Sequence, residues 1–203
     1  MTPQKEMIER RVAHARGRRG ATFSIFISIL VSIFVDATLR GQNSPYTIYQ
    51  HKALYLFNFA KYTEWPREAF VDDNAPFVIG ILGKDPFGRD IDIIRGKTIK
   101  GRKLVVVNFA SVQEVRGCHL LFIAETNNLS QVLLTLENSG PKWILTVAET
   151  EGFIERDGII NLVPEQKNPG SQVVSFDINQ AAAKNANLKL DTQLLKLARK
   201  TKS

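Results

Sequence analysis

One cysteine, three histidines, two tryptophans and two methionines are all that the 203 residues contain of those types. A lone Cys118 excludes a disulfide within the chain, whatever compartment the protein occupies. It stands in the apolar run 118–123 (CHLLFI), which marks it as a buried free thiol. His14 lies in a basic N-terminal segment, His51 in a helix-compatible stretch and His119 beside Cys118. Neither His51 nor His119 has a second donor at metal-ligand spacing, so no metal is assigned. There is no G-x-S-x-G and no H-E-x-x-H. Gly96-Lys97-Thr98 imitates the end of a phosphate loop, but Ile91 stands where that loop needs its first glycine. Gly80 and Gly83 lack the third glycine of a dinucleotide fingerprint. No catalytic residue and no cofactor is read, although partners of a scattered triad would meet in space rather than in sequence.

The chain also lacks an uncharged apolar run of the ~20 residues that a spanning helix needs. Its apolar stretch over residues 21–35 follows Lys5, Arg10, Arg11, Arg16, Arg18 and Arg19 and precedes Val35-Asp36-Ala37. This is the layout of a secretory signal peptide, so residues 1–37 are read as cleaved after Ala37 and the protein as periplasmic. A retained anchor, or the twin-arginine route through Arg18-Arg19, is the alternative. Residues 38–203 then form a single domain long enough to bury a core without disulfides. The removed segment carries six basic and three acidic residues of the 27 and 20, leaving 21 against 17 and a net charge near +4 instead of +7. That mild balance excludes a nucleic-acid footprint.

What is there reads as an α/β domain. Residues 46–65 have no Gly or Pro and predict one helix, stopped by Pro66. Tyr49, Ala53, Leu56 and Ala60 make one apolar stripe along it, and Tyr55, Phe59 and Tyr62 an aromatic second. A surface helix needs only one stripe, so Tyr55, Phe59, Tyr62 and the neighbouring Trp65 are candidate partner-binding residues. Apolar runs at 77–82, 104–109, 119–123 and 143–147 predict buried strands, separated by helix-compatible stretches at 87–95, 111–116 and 129–138. The alternation argues for a mainly parallel sheet with helices on both faces. Residues 158–163 and 172–178 flank Asn168-Pro169-Gly170 and predict a C-terminal antiparallel β-hairpin on the sheet edge. Helices then start at Asn179 and Asp191, the second burying Leu194, Leu195, Leu197 and Ala198.

Two loops qualify as candidate ligand-binding elements because each follows a strand, where open α/β sheets place their ligands. The first contains Asp85, Phe87 and Gly88, with a helix-capping turn as its plain structural reading. The second runs from Glu149 to Gly158 and contains Phe153 and Arg156, the latter a natural anion anchor or a solvated loop cation.

Seven segments together resemble the YfiR-like family of bacterial periplasmic proteins: 52–66 (KALYLFNFAKYTEWP), 81–88 (ILGKDPFG), 118–123 (CHLLFI), 144–147 with Gly152-Phe153, 158–161 (GIIN), 176–179 (FDIN) and 194–198 (LLKLA). The resemblance implies a non-enzymatic regulator that restrains a membrane-bound diguanylate cyclase and thereby cyclic-di-GMP signalling and biofilm formation. The implied partner is the periplasmic domain of that membrane protein. A homodimer, or a small-molecule ligand sensed or carried in the cleft between the two loops, is also open. The family usually has two adjacent glycines where this chain has Asp157-Gly158, and often an Arg shortly before Phe176, where this chain has Ser175. Redox control through paired cysteines does not carry over to a chain with one.

The N-terminal reading predicts that the natively expressed protein begins at Thr38. Intact-mass and N-terminal peptide spectrometry check it, and recovery of a mature N-terminus upstream of Ala21 would rule out export by this route.

Overall fold

The computed structural model describes residues 46–139, 142–168 and 171–203. The expected signal peptide and the turn residues Pro169 and Gly170 lie outside them. None of the helices among the described residues is long and apolar enough to cross a membrane.

The first helix, α1 (Ile48–Lys61), starts in a capping box. The Thr47 hydroxyl accepts from the Gln50 N–H at 3.0 Å, and the Gln50 side chain accepts from the Thr47 N–H at 3.0 Å. It is shorter than the sequence predicts. Thr63 turns its hydroxyl back to the Phe59 carbonyl at 2.7 Å, and β1 (Thr63–Glu64) pairs with β9 (Lys189–Leu190) in a two-stranded ribbon. Trp65 therefore stands beyond the helix, consistent with the bias against helical geometry before Pro66.

The main sheet contains β2 (Phe77–Leu82), β3 (Thr98–Ile99), β4 (Arg102–Phe109), β5 (Leu120–Ile123), β6 (Leu145–Ala148), β7 (Ile160–Asn168), β8 (Ser171–Asn179) and β10 (Lys200–Lys202). Its spatial order is β10-β8-β7-β6-β5-β2-β4-β3. Strands β4, β2, β5, β6 and β7 are mutually parallel, β7 and β8 form the antiparallel hairpin, and β10 adds to β8 in parallel. The expected fold class is therefore the observed one. The hairpin is not the edge, because β10 covers β8.

Side chains alternate across this sheet with a period of two. Ile79, Ile81, Leu120, Phe122, Leu145 and Val147 face a large core under α1. Leu82, Leu121, Ile123 and Ala148 face a smaller one, covered by α2 (Leu129–Ser139) and by short connections. Two stretches expected as helices form 3-10 turns instead, Gly88–Ile93 and Val112–Glu114. The second lies in the ten-residue link 110–119, shorter than the dozen or so residues that a helical crossover takes.

Two last helices follow the hairpin, α3 (Gln180–Asn185) and α4 (Thr192–Leu197). As expected, the Asn179 side chain accepts from the Ala182 N–H at 2.9 Å and Asp191 from Gln193 at 2.7 Å. Leu194 is buried, but Leu197 is 44% exposed, since a helix of under two turns presents one narrow face.

Gly80 shows how close the smaller core is packed. A Cβ there would stand 2.7 Å from Phe109, 2.8 Å from the Cys118 sulfur and 2.9 Å from Leu121. Cys118 is buried as expected, and burial pushes its thiol up to about 12, which keeps it protonated and unreactive. Gly80→Ala should cost about 1–3 kcal/mol or more in urea unfolding, the usual cost of overpacking, and adding Cys118→Ala should recover part of it. Equal stability of Gly80→Ala and the parent would show that this core has slack.

Candidate functional site

The strands β4-β2-β5-β6-β7 have the order 2-1-3-4-5 of a doubly wound sheet, which places its topological switch between β2 and β5. A cleft of about 1040 Å3 opens at that place, over the carboxyl ends of β2, β5 and β6. The two loops singled out in the sequence face each other across it: Lys84 and Asp85 on one wall, Glu149 to Gly152 on the other. Tyr49 of α1 closes one side, and Asp177 of β8 with Arg199 and Lys200 another.

Among the expected ligand-binding residues, Asp85 reaches the cleft and the rest do not line it. Asp85 is also a turn cap: its Oδ1 accepts from the N–H groups of Phe87 at 2.8 Å and Gly88 at 3.3 Å, and its Oδ2 from Asn108 at 3.3 Å. Phe87 is folded into the core between Tyr49 and Phe122, with ring centroids 5.9 and 4.9 Å away. Gly88 supplies a positive φ of 53° for the turn. Phe153 is fully buried in the smaller core. Arg156 folds back over its own loop, donating to the Glu151 carbonyl at 2.9 Å with its guanidinium against Gly152. The cleft lining holds six carboxylates and three cations, so it is net acidic and gives no anion pocket at Arg156.

Part of the aromatic stripe of α1 is covered by the chain itself. Phe59 has no exposed surface and packs on Phe176 at 5.0 Å. Tyr55 packs on both rings and donates its hydroxyl to the Val174 carbonyl at 2.8 Å; burial first, then the Glu165 charge, push it up to about 12. Tyr62 is half-buried, its backbone carbonyl accepting from Asp191 at 2.9 Å, and burial followed by the Asp191 charge raises its pKa. Trp65 donates to the Trp143 carbonyl at 2.9 Å and meets Phe77 edge-on at 4.9 Å. The second stripe exists because β8 and the 3-10 turn flank the helix, leaving it lying in a trough rather than on a plane.

Sequence reasoning missed two charged pairs that hold the cleft walls. Lys52 is 4% exposed, lies over the Tyr49 ring at 4.4 Å and donates to Glu149 at 2.5 Å. Asp177, 6% exposed, takes two bonds from Arg199, at 2.9 and 2.7 Å. The signal for the first was available: Lys52 follows Tyr49 by three and precedes Leu56 by four, so it sits on the buried stripe, where a charge requires a partner. Which carboxylate would answer could not be read from one dimension. The departure at Asp157 also finds its reason, since that residue takes φ 66°, a left-handed conformation that Gly favours and Asp tolerates. At Gly158 no side chain fits, because a Cβ would meet the Phe153 ring at 2.3–2.5 Å.

The order of the strands and the cleft at their switch define a doubly wound α/β domain with an open, acidic cleft at its carboxyl edge. The YfiR/HmsC-like family profile matches residues 49–199, all of the main sheet but its last strand, and the chain belongs to that family. No curated protein matches the chain as a relative. Among solved structures, a conserved domain protein from Vibrio cholerae is similar in fold, with TM-score 0.50 and 14% identity over 77% of this chain and 60% of that one. The chain thus spans less than two thirds of that protein's length. An ABC domain in complex with L-Trp from Streptococcus pneumonia has TM-score 0.40 and 12% identity over 62% of this chain and 55% of that one, too slight a likeness to bear on function.

The Lys52–Glu149 pair predicts an asymmetric response. Glu149→Ala strands a buried ammonium and should cost about 3 kcal/mol, whereas Lys52→Met leaves a carboxylate that can hydrate through the cleft and should cost about 1 kcal/mol. Chemical denaturation of both variants checks it; the reverse order would mean that the carboxylate is the trapped charge.

Proposed function

We propose that the protein is an exported, non-enzymatic regulator whose residues 1–37 direct it to the periplasm, and which there restrains a membrane-bound diguanylate cyclase. Membership of the YfiR/HmsC-like family over residues 49–199 carries this reading. The mechanism it requires is linkage. A protein that binds the inactive form of a cyclase's outer domain draws the population towards that form, and whatever competes for the same surface undoes the shift. Tyr62 and Trp65 at the partly exposed end of the aromatic stripe are the residues of that set still able to touch a partner, whereas Phe59 and most of Tyr55 serve the core.

The cleft favours a second reading, that of a periplasmic small-ligand sensor or carrier. It lies where doubly wound sheets bind their ligands, and its net acidic lining disfavours an anionic one. The two readings join if a ligand in the cleft releases the partner.

Deleting the gene should raise cellular cyclic-di-GMP several-fold. Restoring the full chain should lower it again, while a chain lacking residues 1–37 should not. Unchanged cyclic-di-GMP on deletion would overturn the regulatory reading. Thermal stabilisation of the purified protein by a small molecule, lost on changing Asp85 and Glu149, would then leave the sensor.

A further inference from the structure

The segment 66–75 crosses the end of the sheet opposite the cleft and, among its residues, none has a buried side chain. It is held from outside itself. Phe70 stacks on the His119 ring at 4.4 Å and 18°, and Phe77 packs beside the same histidine at 5.0 Å and 27°, the two phenyl centroids standing 6.4 Å apart. His119 also carries two hydrogen bonds of opposite sense. Its Nδ1 accepts from the Val78 N–H at 3.1 Å, which leaves the proton on Nε2, where it meets the Ala69 carbonyl at 3.1 Å. Arg102 completes the clasp, with its guanidinium 3.9 Å over the Phe70 ring and Nη1 donating to the carbonyls of Asp72 and Ala75 at 2.8 Å each.

We propose that His119 is an acid-released latch: neutral, it holds the segment 66–75 against the sheet, and a proton on Nδ1 lets that segment go. The geometry supplies the reason. A protonated Nδ1 would point its hydrogen at the Val78 N–H, setting donor against donor, in a residue 5% exposed and packed against two aromatic rings. The charge that faces the ring is another cation, Arg102 from β4; β2 and β5 present Phe77, Val78 and the neutral Cys118 and Leu120. On the segment itself, Arg67, Glu68, Asp72 and Asp73 are exposed to water, and among the described residues no carboxylate pairs with the imidazole. On balance His119 is held below its ordinary value of 6.5: burial lowers it most, the hydrogen bond at Ala69 opposes, Arg102 lowers it further, and the hydrogen bond at Val78 opposes least. The sign follows. The closed form binds fewer protons than the open one, so closure weakens as pH falls through about 6.5 and goes on weakening until the depressed value is passed. Opening would uncover Phe77 and the inner face of Phe70 without unfolding the sheet beneath, as expected of a weakly packed local unit. The latch rests on these contacts alone, so its failure would leave the regulatory reading untouched.

Hydrogen exchange of the purified full chain tests it, at about pH 7.5 and about pH 5 and corrected for intrinsic rates. Amides of residues 67–75 should lose about tenfold or more of their protection at the lower pH while those of β2 and β5 keep theirs. His119→Gln, which cannot titrate, should make the protection of that segment independent of pH, whether it is high or low. Ring nitrogen shifts of the parent protein give a second measurement that needs no variant: the Nε2–H tautomer at neutral pH, and a titration that tracks the exchange of the segment. Protection that stays flat in the parent, the same pH dependence in His119→Gln, or an Nδ1–H tautomer at neutral pH would each overturn the proposal.

Discussion

Strands β4, β2, β5, β6 and β7 all run in one direction, so both faces of the sheet are apolar and each has to be covered. On one face the cover is α1, which precedes the first strand of that sheet in the chain and is pressed in on several sides, with Ala53, Leu56, Phe59 and Ala60 fully buried. A helix held this deeply cannot leave a charge on its inner stripe unanswered, and Lys52 is answered by Glu149 just past β6. That pair ties the helix to the carboxyl ends of the strands. On the other face α2 and short turns suffice because the layer is thin, and Gly80 leaves the space that Cys118, Phe109 and Leu121 occupy.

The cleft follows from the same arrangement. At the switch between β2 and β5 the chain leaves in opposite directions, and among the described residues no helix closes the gap over the strand ends. Its walls differ in firmness. Lys52–Glu149 and Asp177–Arg199 each contain a nearly buried member and direct charge-assisted bonds. Lys200–Glu155 and Lys202–Asp157 join β10 to the loop 150–158 through exposed groups, and pairs of that kind add little to stability. The rim formed by β10 is therefore the part of the cleft best able to adjust to an occupant.

The ends of the sheet thus carry different devices. At the carboxyl end, charged side chains surround an open space, and ion pairs brace its walls. At the amino end, one histidine packed against Phe70 and Phe77 touches a segment with little packing of its own, and its bonds suit one protonation state. Neither depends on the thiol of Cys118, whose burial and raised pKa fit a packing role.

Much of the fold was legible in the sequence because its signals are local. Near-continuous apolar runs at 77–82, 104–109, 119–123 and 143–147 announce strands buried on both faces, turn residues announce the β7–β8 hairpin, and Asn179 and Asp191 announce helix starts. The resemblance to the YfiR-like family was legible for a similar reason, being carried by short segments in order. What sequence could not decide was which surfaces meet. The same aromatic stripe on α1 suits a partner or a trough, and for two of its members β8 forms the trough, bringing Phe176 and the Val174 carbonyl to Phe59 and Tyr55. Phe87, Phe153 and Arg156 read as ligand residues from their places after strands, yet two are drawn into cores and the third folds onto its own loop. Lys52 with Glu149, Asp177 with Arg199, and His119 with Phe70 and Val78 are each more than twenty residues apart, and only tertiary packing, which turns separation along the chain into distance in space, made them partners.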